Sequence, residues 1–340
     1  MTVQLTIIGL GQIGASVGLA LAGNKDKVTR FGHDLEPYIA KRAQEMGAVD
    51  KVFFNLPAAV ENANIVLLAL PIDQIRDTLQ VIGPCLQENA VVMDTSLGKI
   101  AVAEWAKEFL PPGRHYVGLT PAINPLYLHE AETGIHAAHA DLFTKGLMAI
   151  VAPQGTVGAA IKLAADLASL LGAAPFFIDL TEADSMMTSL HVLPQLTAAA
   201  IANVNMDRPG WDDARKLAGR AYFKATALVD YDIEEEGALI ETALQNRDNV
   251  VRVLNELITS LEELRDDIAG HERDSLADWL ERARLGRAKW WRERSAGNWQ
   301  SLELNKMGIS KNKKGVWKRL FGDFGKLFGP PKSGQEKEKT

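Results

Sequence analysis

Residues 3–21 form an apolar segment that breaks at Gly9, Gly11 and Gly14 and restarts at helical spacing. No other part of the chain restricts the possible folds as much. Val3, Leu5, Ile7 and Ile8 have the branched character of a parallel strand buried on both faces, while Ile13, Val17, Leu19 and Leu21 suit a helix packed upon it. Each glycine has its own reason. Gly9 allows a tight turn, Gly11 leaves main-chain amides open to close approach, and Gly14 permits tight contact between helix and strand. The turn Gly9-Leu10-Gly11-Gln12-Ile13-Gly14 then offers free N–H groups at the positive end of a helix dipole, a place suited to a pyrophosphate.

A glycine-rich turn alone is a weak signal, and the residues that follow it decide its meaning. A second strand, residues 28–32, leads into His33-Asp34, and Asp34 lies about 20 residues past Gly14, where a carboxylate accepts hydrogen bonds from an adenosine ribose. Asp34 would repel a 2′-phosphate, and Leu35, Glu36 and Pro37 supply no arginine to hold one. NAD is therefore expected in preference to NADP. Leu70 at the end of a later strand, and Pro71 just after it, belong to the same expected cofactor edge. The plainer alternative is an ordinary strand-to-helix turn with Asp34 capping the next helix.

Strand-like and helix-like segments alternate through the first half, the signature of βαβ units. Strands are expected at 3–8, 28–32, 65–70, 90–93, 116–117, 148–151 and 175–178, with helices at 13–22, 36–46, 72–82, 100–109 and 157–171. Beyond Thr181 strand signals stop and a Thr181-Glu182-Ala183-Asp184 capping pattern opens a helical region. Helices are expected over 183–205, 211–229, 235–264 with a break, and 274–294. The fold class is thus α/β: a Rossmann-type, doubly wound parallel sheet in residues 1–180, followed by an all-α domain over 181–298. Val250, Val253, Leu254, Leu257, Leu261 and Leu264 form a long apolar stripe, either internal core or the seam of a homodimer.

A chain of 340 residues with 47% hydrophobic composition has material for two such domains. It carries no apolar run of membrane-spanning length and no basic leader before the first strand, so a cytoplasmic location is expected. Cys85, the only cysteine, excludes an internal disulfide. The net charge of −6 is uneven, since ten Lys or Arg face three acidic residues after Asn305. The main body is therefore acidic and unsuited to nucleic acid, and a small anionic substrate needs a local cationic pocket. Residues 299–340 read as a basic, partly disordered tail. Within it Trp317, Leu320, Phe321, Phe324, Leu327 and Phe328 lie among lysines at helical spacing, a pattern compatible with weak contact to a membrane surface or a partner.

In order along the chain, IIGLGQIGAS, ANIVLLALPID, VVMDTSLGK, HYVGLTPAINP, SLHVLPQLTAAA and NRDNVVRVLNEL resemble the prephenate dehydrogenases of tyrosine biosynthesis. The resemblance runs from about Val3 to Arg294. It implies oxidative decarboxylation: hydride leaves a ring carbon bearing a hydroxyl, NAD(P) accepts it, and loss of the ring carboxylate gives an aromatic ketoacid. Such chemistry needs an acceptor for the hydroxyl proton, a cation for the carboxylate and close contact with the nicotinamide.

The resemblance places Ser96 at the hydroxyl and Lys99 as a cap for nearby charge. Where the family has Gly-x-His-Pro this chain has Gly118-Leu119-Thr120-Pro121, so Thr120 stands where the base is expected. The family's Ser-His-Leu-Pro becomes His191-Val192-Leu193-Pro194, with the histidine one position early, a rotation of about 100° on a regular helix. Of the Phe-Arg-Asp-x-Thr-Arg run only Thr226 is matched, the following arginine is Ala227, and Arg220 or Lys224 is left to supply the cation. Three functions fit: a prephenate dehydrogenase-like enzyme, a dehydrogenase of the same scaffold acting on another hydroxy acid, and a non-catalytic NAD-binding sensor or scaffold. His129, Glu130, His136, His139 and Asp141 cluster after Thr120, but without a fixed ligand geometry, so no metal is expected.

Overall fold

The computed structural model describes residues 2–230 and 233–297, the side chains of 233–235 excepted. The expected tail and its amphipathic segment lie outside the described residues. Eight strands form one sheet in the order β3-β2-β1-β4-β5-β6-β7-β8. They are β1 (Val3–Ile8), β2 (Val28–His33), β3 (Lys51–Val52), β4 (Ile65–Leu68), β5 (Val91–Asp94), β6 (His115–Ala122), β7 (Leu147–Val151) and β8 (Ala174–Phe177). Strands β3 to β6 are parallel, as expected, but β7 runs antiparallel to β6 and β8 parallel to β7. The reversal has a plain cause. Residues 123–146 contain two 3₁₀ turns and no crossover helix, so the chain returns beside β6 instead of crossing over the sheet.

Helices α1 (Gln12–Ala20), α2 (Pro37–Glu45), α3 (Leu56–Val60), α4 (Ile72–Ile82), α5 (Lys99–Phe109) and α6 (Gly158–Leu171) cover the sheet. One face buries Leu5, Ile7, Leu67 and Met93 beneath α1 and α6. The other buries Ile8, Val66, Leu68 and Val92 beneath α4 and α5. This two-sided burial explains why the strands read as continuous apolar runs. Two elements escaped the sequence reading, β3 and α3, because two and five residues are too short to show a period.

Arg30 of β2 is the largest fully buried polar side chain. Its guanidinium donates to both oxygens of Asp50, at 3.1 and 2.6 Å, and to the main-chain carbonyls of Gly18 at 2.7 Å and Gly47 at 2.9 Å. Burial works to raise the Asp50 carboxyl, but hydrogen bonds and charge from Arg30, with Lys25, hold it below its usual value of 3.8. Replacing Asp50 with alanine strands this buried cation and should cost about 3–5 kcal/mol, read as a lower urea midpoint. Because the folded pKa is depressed, the pair's contribution is complete above pH 3.8 and is lost as pH falls through the folded value.

The second half is helical: α7 (Leu180–Met187), α8 (Leu193–Met206), α9 (Trp211–Ala214), α10 (Arg220–Thr226), α11 (Ile233–Gln245), α12 (Arg247–Ala269) and α13 (Arg273–Ala296). The cap of α7 is Asp179, which accepts from the Glu182 amide at 2.8 Å, rather than Thr181. Asp184, expected in that cap, serves another helix. The expected helix over 183–205 is interrupted by a π turn at Thr188–Val192, and that over 211–229 breaks into short pieces around Gly219. The α12 stripe is buried only at Val250 and Val253, while Leu261 is 52% exposed.

Candidate active site

The glycine turn opens into a cleft of about 760 Å³ lined by Gly9, Gly11, Asp34, Leu70, Pro71 and, from the helical half, Ala238. Gly9 has φ +86°, and a Cβ there would lie 2.3 Å from the Ala69 carbonyl oxygen. At Gly14 a Cβ would meet the Gly9 oxygen at 1.9 Å, so this glycine is required by the fold itself. Gly11 differs. A Cβ there meets nothing within 4 Å, and its open face lines the cleft. Helix α1 begins without a side-chain cap, which leaves the Gln12, Ile13 and Gly14 amides at its open end. Leu10 is fully buried, and its amide donates to Asp34 Oδ2 at 2.7 Å.

Asp34 Oδ1 accepts from the Glu36 amide at 2.9 Å, so the local turn and the cleft share this carboxylate. Each carboxylate oxygen has capacity for a second donor, which suits two ribose hydroxyls. Glu36, Asp73 and Asp77 also line the cleft, and no Lys or Arg does. The residues fit a dinucleotide without a 2′-phosphate. Replacing Asp34 with asparagine should weaken NAD binding about tenfold or more and narrow its advantage over NADP. Calorimetric Kd values for both nucleotides test this, and an unchanged ratio would count against the role.

At the carboxyl end of β5 the chain buries a charged network. Asp94 Oδ2 accepts from the Ser96 amide at 2.8 Å, Ser96 Oγ at 2.6 Å and Lys99 Nζ at 2.8 Å, while Oδ1 accepts from the Tyr116 hydroxyl at 2.6 Å. Asp94 and Lys99 are fully buried. Burial lowers the Lys99 pKa against the opposing pull of Asp94, and burial with the Asp94 charge holds the Tyr116 phenol well above its usual value. Lys99 Nζ is therefore turned onto the Asp94 carboxylate. Ser96, with its only proton directed to Asp94, is left as an acceptor toward anything else. Thr120 lies on β6 two residues beyond Gly118, which pairs with Asp94, so Ser96 and Thr120 stand equally far past one rung of the sheet.

In the helical half the π turn carries His191. A π turn takes up one extra residue and so offsets the rotation that the early histidine would otherwise cause. Pro194 gives its reason: the proline lacks an N–H and its ring crowds the carbonyl four residues back. His191 keeps solvent-exposed surface, yet neighbouring protein shields the imidazole enough that desolvation lowers its pKa below the usual 6.5. Arg220 and Lys224 are exposed on α10, one turn apart, and Thr226 is half-buried with its hydroxyl on the Tyr222 carbonyl at 2.8 Å. The structure thus brings Ser96 and Lys99 together on Asp94, and among the described residues no hydrogen bond joins α10 to them.

The segment between β6 and β7 packs on α1, with the His139 amide donating to Ser16 Oγ at 2.9 Å. His139 pairs with Glu130 at 2.7 Å and stacks on Tyr127, whose hydroxyl holds Asp141 at 2.6 Å. His129 meets Trp291 edge-on. Among the described residues, no three histidine, cysteine or carboxylate side chains converge as metal ligands would.

Residues 17–175 match the family model described as the prephenate dehydrogenase nucleotide-binding domain. The cyclohexadienyl dehydrogenase of Zymomonas mobilis is 24% identical over 286 residues, which cover 84% of this chain and 94% of that protein. The match places residues 17–175 with the nucleotide-binding domain of prephenate dehydrogenases. The prephenate dehydrogenase of Bacillus subtilis is 20% identical over 284 residues, covering 82% of this chain and 74% of that protein. Among solved structures, Aquifex aeolicus prephenate dehydrogenase in complex with hydroxyphenyl propionate and NAD+ superposes with a TM-score of 0.74 at 19% identity, covering 85% of this chain and 98% of that one. Synechocystis arogenate dehydrogenase gives a TM-score of 0.68 at 21% identity, over 84% and 99% of the two chains. Both share the prephenate dehydrogenase fold, a mostly parallel sheet followed by helices.

Proposed function

We propose that this protein is an NAD-dependent dehydrogenase that oxidises and decarboxylates a cyclic hydroxy acid of the prephenate type, a step toward tyrosine. The reading rests above all on the cleft, where uncapped amides, the open face of Gly11 and the Asp34 carboxylate meet with no cation between them. NAD, when bound, supplies the hydride acceptor. Ser96 Oγ, held by Asp94, lies beside the substrate hydroxyl and bounds its place, leaving the hydroxyl proton to His191. His191, kept neutral by desolvation, takes the hydroxyl proton as hydride departs. Thr120, buried at the strand end, orients the same hydroxyl but cannot replace an imidazole as base. Arg220 and Lys224, on one face of α10, take a substrate carboxylate.

One observation favours a second reading, the same chemistry on another hydroxy acid: threonine occupies the position of the family's histidine. NADH formation measured with prephenate, arogenate and a panel of hydroxy acids separates the two. Binding of NAD without turnover on any of them would leave a sensor or scaffold. The helical half also exposes the large apolar side chains of Leu190 (65%), Val204 (57%), Leu217 (88%) and Phe223 (73%). This supports a homodimer formed through these helices, and sedimentation as a monomer at micromolar concentration would contradict it. No described helix is long and apolar enough to cross a membrane, and we place the enzyme in the cytoplasm.

A further inference from the structure

Ser96 and His191 arise from different halves of the chain, and chemistry that uses both requires their separation to be held closely, since a misplacement of about 1 Å can cost a hundredfold in rate. Asp184 touches the supports of both. Its carboxylate accepts from the Lys99 amide at 2.6 Å and the Ile100 amide at 3.2 Å, and so caps α5, which has no side-chain cap of its own. Its main-chain carbonyl accepts from Thr188 Oγ1 at 2.7 Å and from Asn246 Nδ2 at 2.9 Å. The Asn246 amide also donates to Thr188 Oγ1 at 2.6 Å. Asn246 is the residue between α11 and α12; its side chain makes no cap bond to the α12 main chain, its Nδ2 donates to α7 and the π turn, and its Oδ1 accepts from Asn249 Nδ2 at 2.8 Å. Asp184, Thr188 and Asn246 are all buried.

The knot therefore has two arms. One runs from the Asp184 carboxylate to the start of α5, where Lys99 holds Asp94 and Asp94 holds Ser96. The other runs from the Asp184 carbonyl, through Thr188 and Asn246, to the widened turn that carries His191. A π turn loosens the regular ladder of main-chain bonds, and side-chain donors wedged against it replace part of that restraint. We propose that Asp184 and Asn246 are positioning residues that set the distance between Ser96 and His191 and hold the π turn in the winding that presents the imidazole. This inference rests on the reading of Ser96 and His191 as the groups that meet the substrate hydroxyl.

The test uses the full-length protein carrying Asn246→Ala, Thr188→Val or Thr188→Ser. The second is nearly isosteric and removes only the hydroxyl, and the third keeps it. Three quantities are measured: kcat, the Kd for NAD, and the titration of the His191 imidazole by NMR. Asn246→Ala and Thr188→Val should lower kcat by about ten- to a hundredfold and shift the His191 titration, with NAD affinity unchanged and Thr188→Ser close to wild type. If Asn246→Ala fails to fold, Thr188→Val decides alone. Wild-type kcat and His191 titration in folded Thr188→Val would overturn the proposal, as would a loss of rate matched by an equal loss of NAD binding. Should the wild-type protein oxidise no candidate substrate, the dehydrogenase reading fails, while the imidazole titration still reports whether the knot holds the turn.

Discussion

Replacing His191 with asparagine should lower kcat by about 10²–10⁴ while leaving the affinity for NAD almost unchanged. The size follows from the loss of a general base, and the selectivity from geometry, because the nucleotide cleft is lined by other residues. The pH dependence gives the sharper signature. Desolvation lowers the His191 pKa below 6.5, so the imidazole stays neutral into mildly acidic solution and the wild-type rate should hold its plateau below pH 6.5 before protonation removes the base. The asparagine variant should lack that acid limb. Stability follows the same sign: as pH falls below 6.5 the unfolded chain takes up this proton before the folded one, and folding weakens. A variant that retains full activity, or the same acid limb, would transfer the base to another group.

Asp94→Ala should be among the most damaging single changes in the protein, at about 3–5 kcal/mol of stability, with turnover lost as well. The carboxylate receives four donors, and its removal leaves the fully buried Lys99 ammonium without its counter-charge. Two effects are then mixed, and a second substitution separates them. Adding Lys99→Met removes the stranded charge from an apolar setting and should restore most of the denaturation midpoint. Turnover should not return, because Ser96 Oγ still lacks the acceptor that fixes its proton. Recovery of both quantities together would mean that Asp94 serves only to neutralise Lys99.

Much of the nucleotide half was legible in the chain because its signals are local. Apolar runs mark β1, β4 and β5, and three glycines mark a turn whose separate steric reasons are visible at Gly9, Gly11 and Gly14. Asp34 could be placed by its spacing alone. The position of Lys99 three residues past Ser96 says nothing of which way its side chain turns; the structure sends it inward to Asp94. The buried bonds of Asp94, Tyr116, Asp184 and Asn246 escaped the sequence reading for a related reason. The bonds that define Asp184 and Asn246 join residues 85 and 62 apart, and no periodicity reports a contact of that range. The π turn was partly readable, since Pro194 sits inside what was expected to be one uninterrupted helix.

The cap that Asp184 places on α5 also bears on how proteins of this architecture can be cut and recombined. A boundary drawn at the end of β8 looks natural from the sheet, yet it would leave the first amides of α5 facing solvent without their carboxylate. A transplanted nucleotide module should therefore carry α7 with it, and chimeras joined beyond Thr188 should express better than those joined at Phe177.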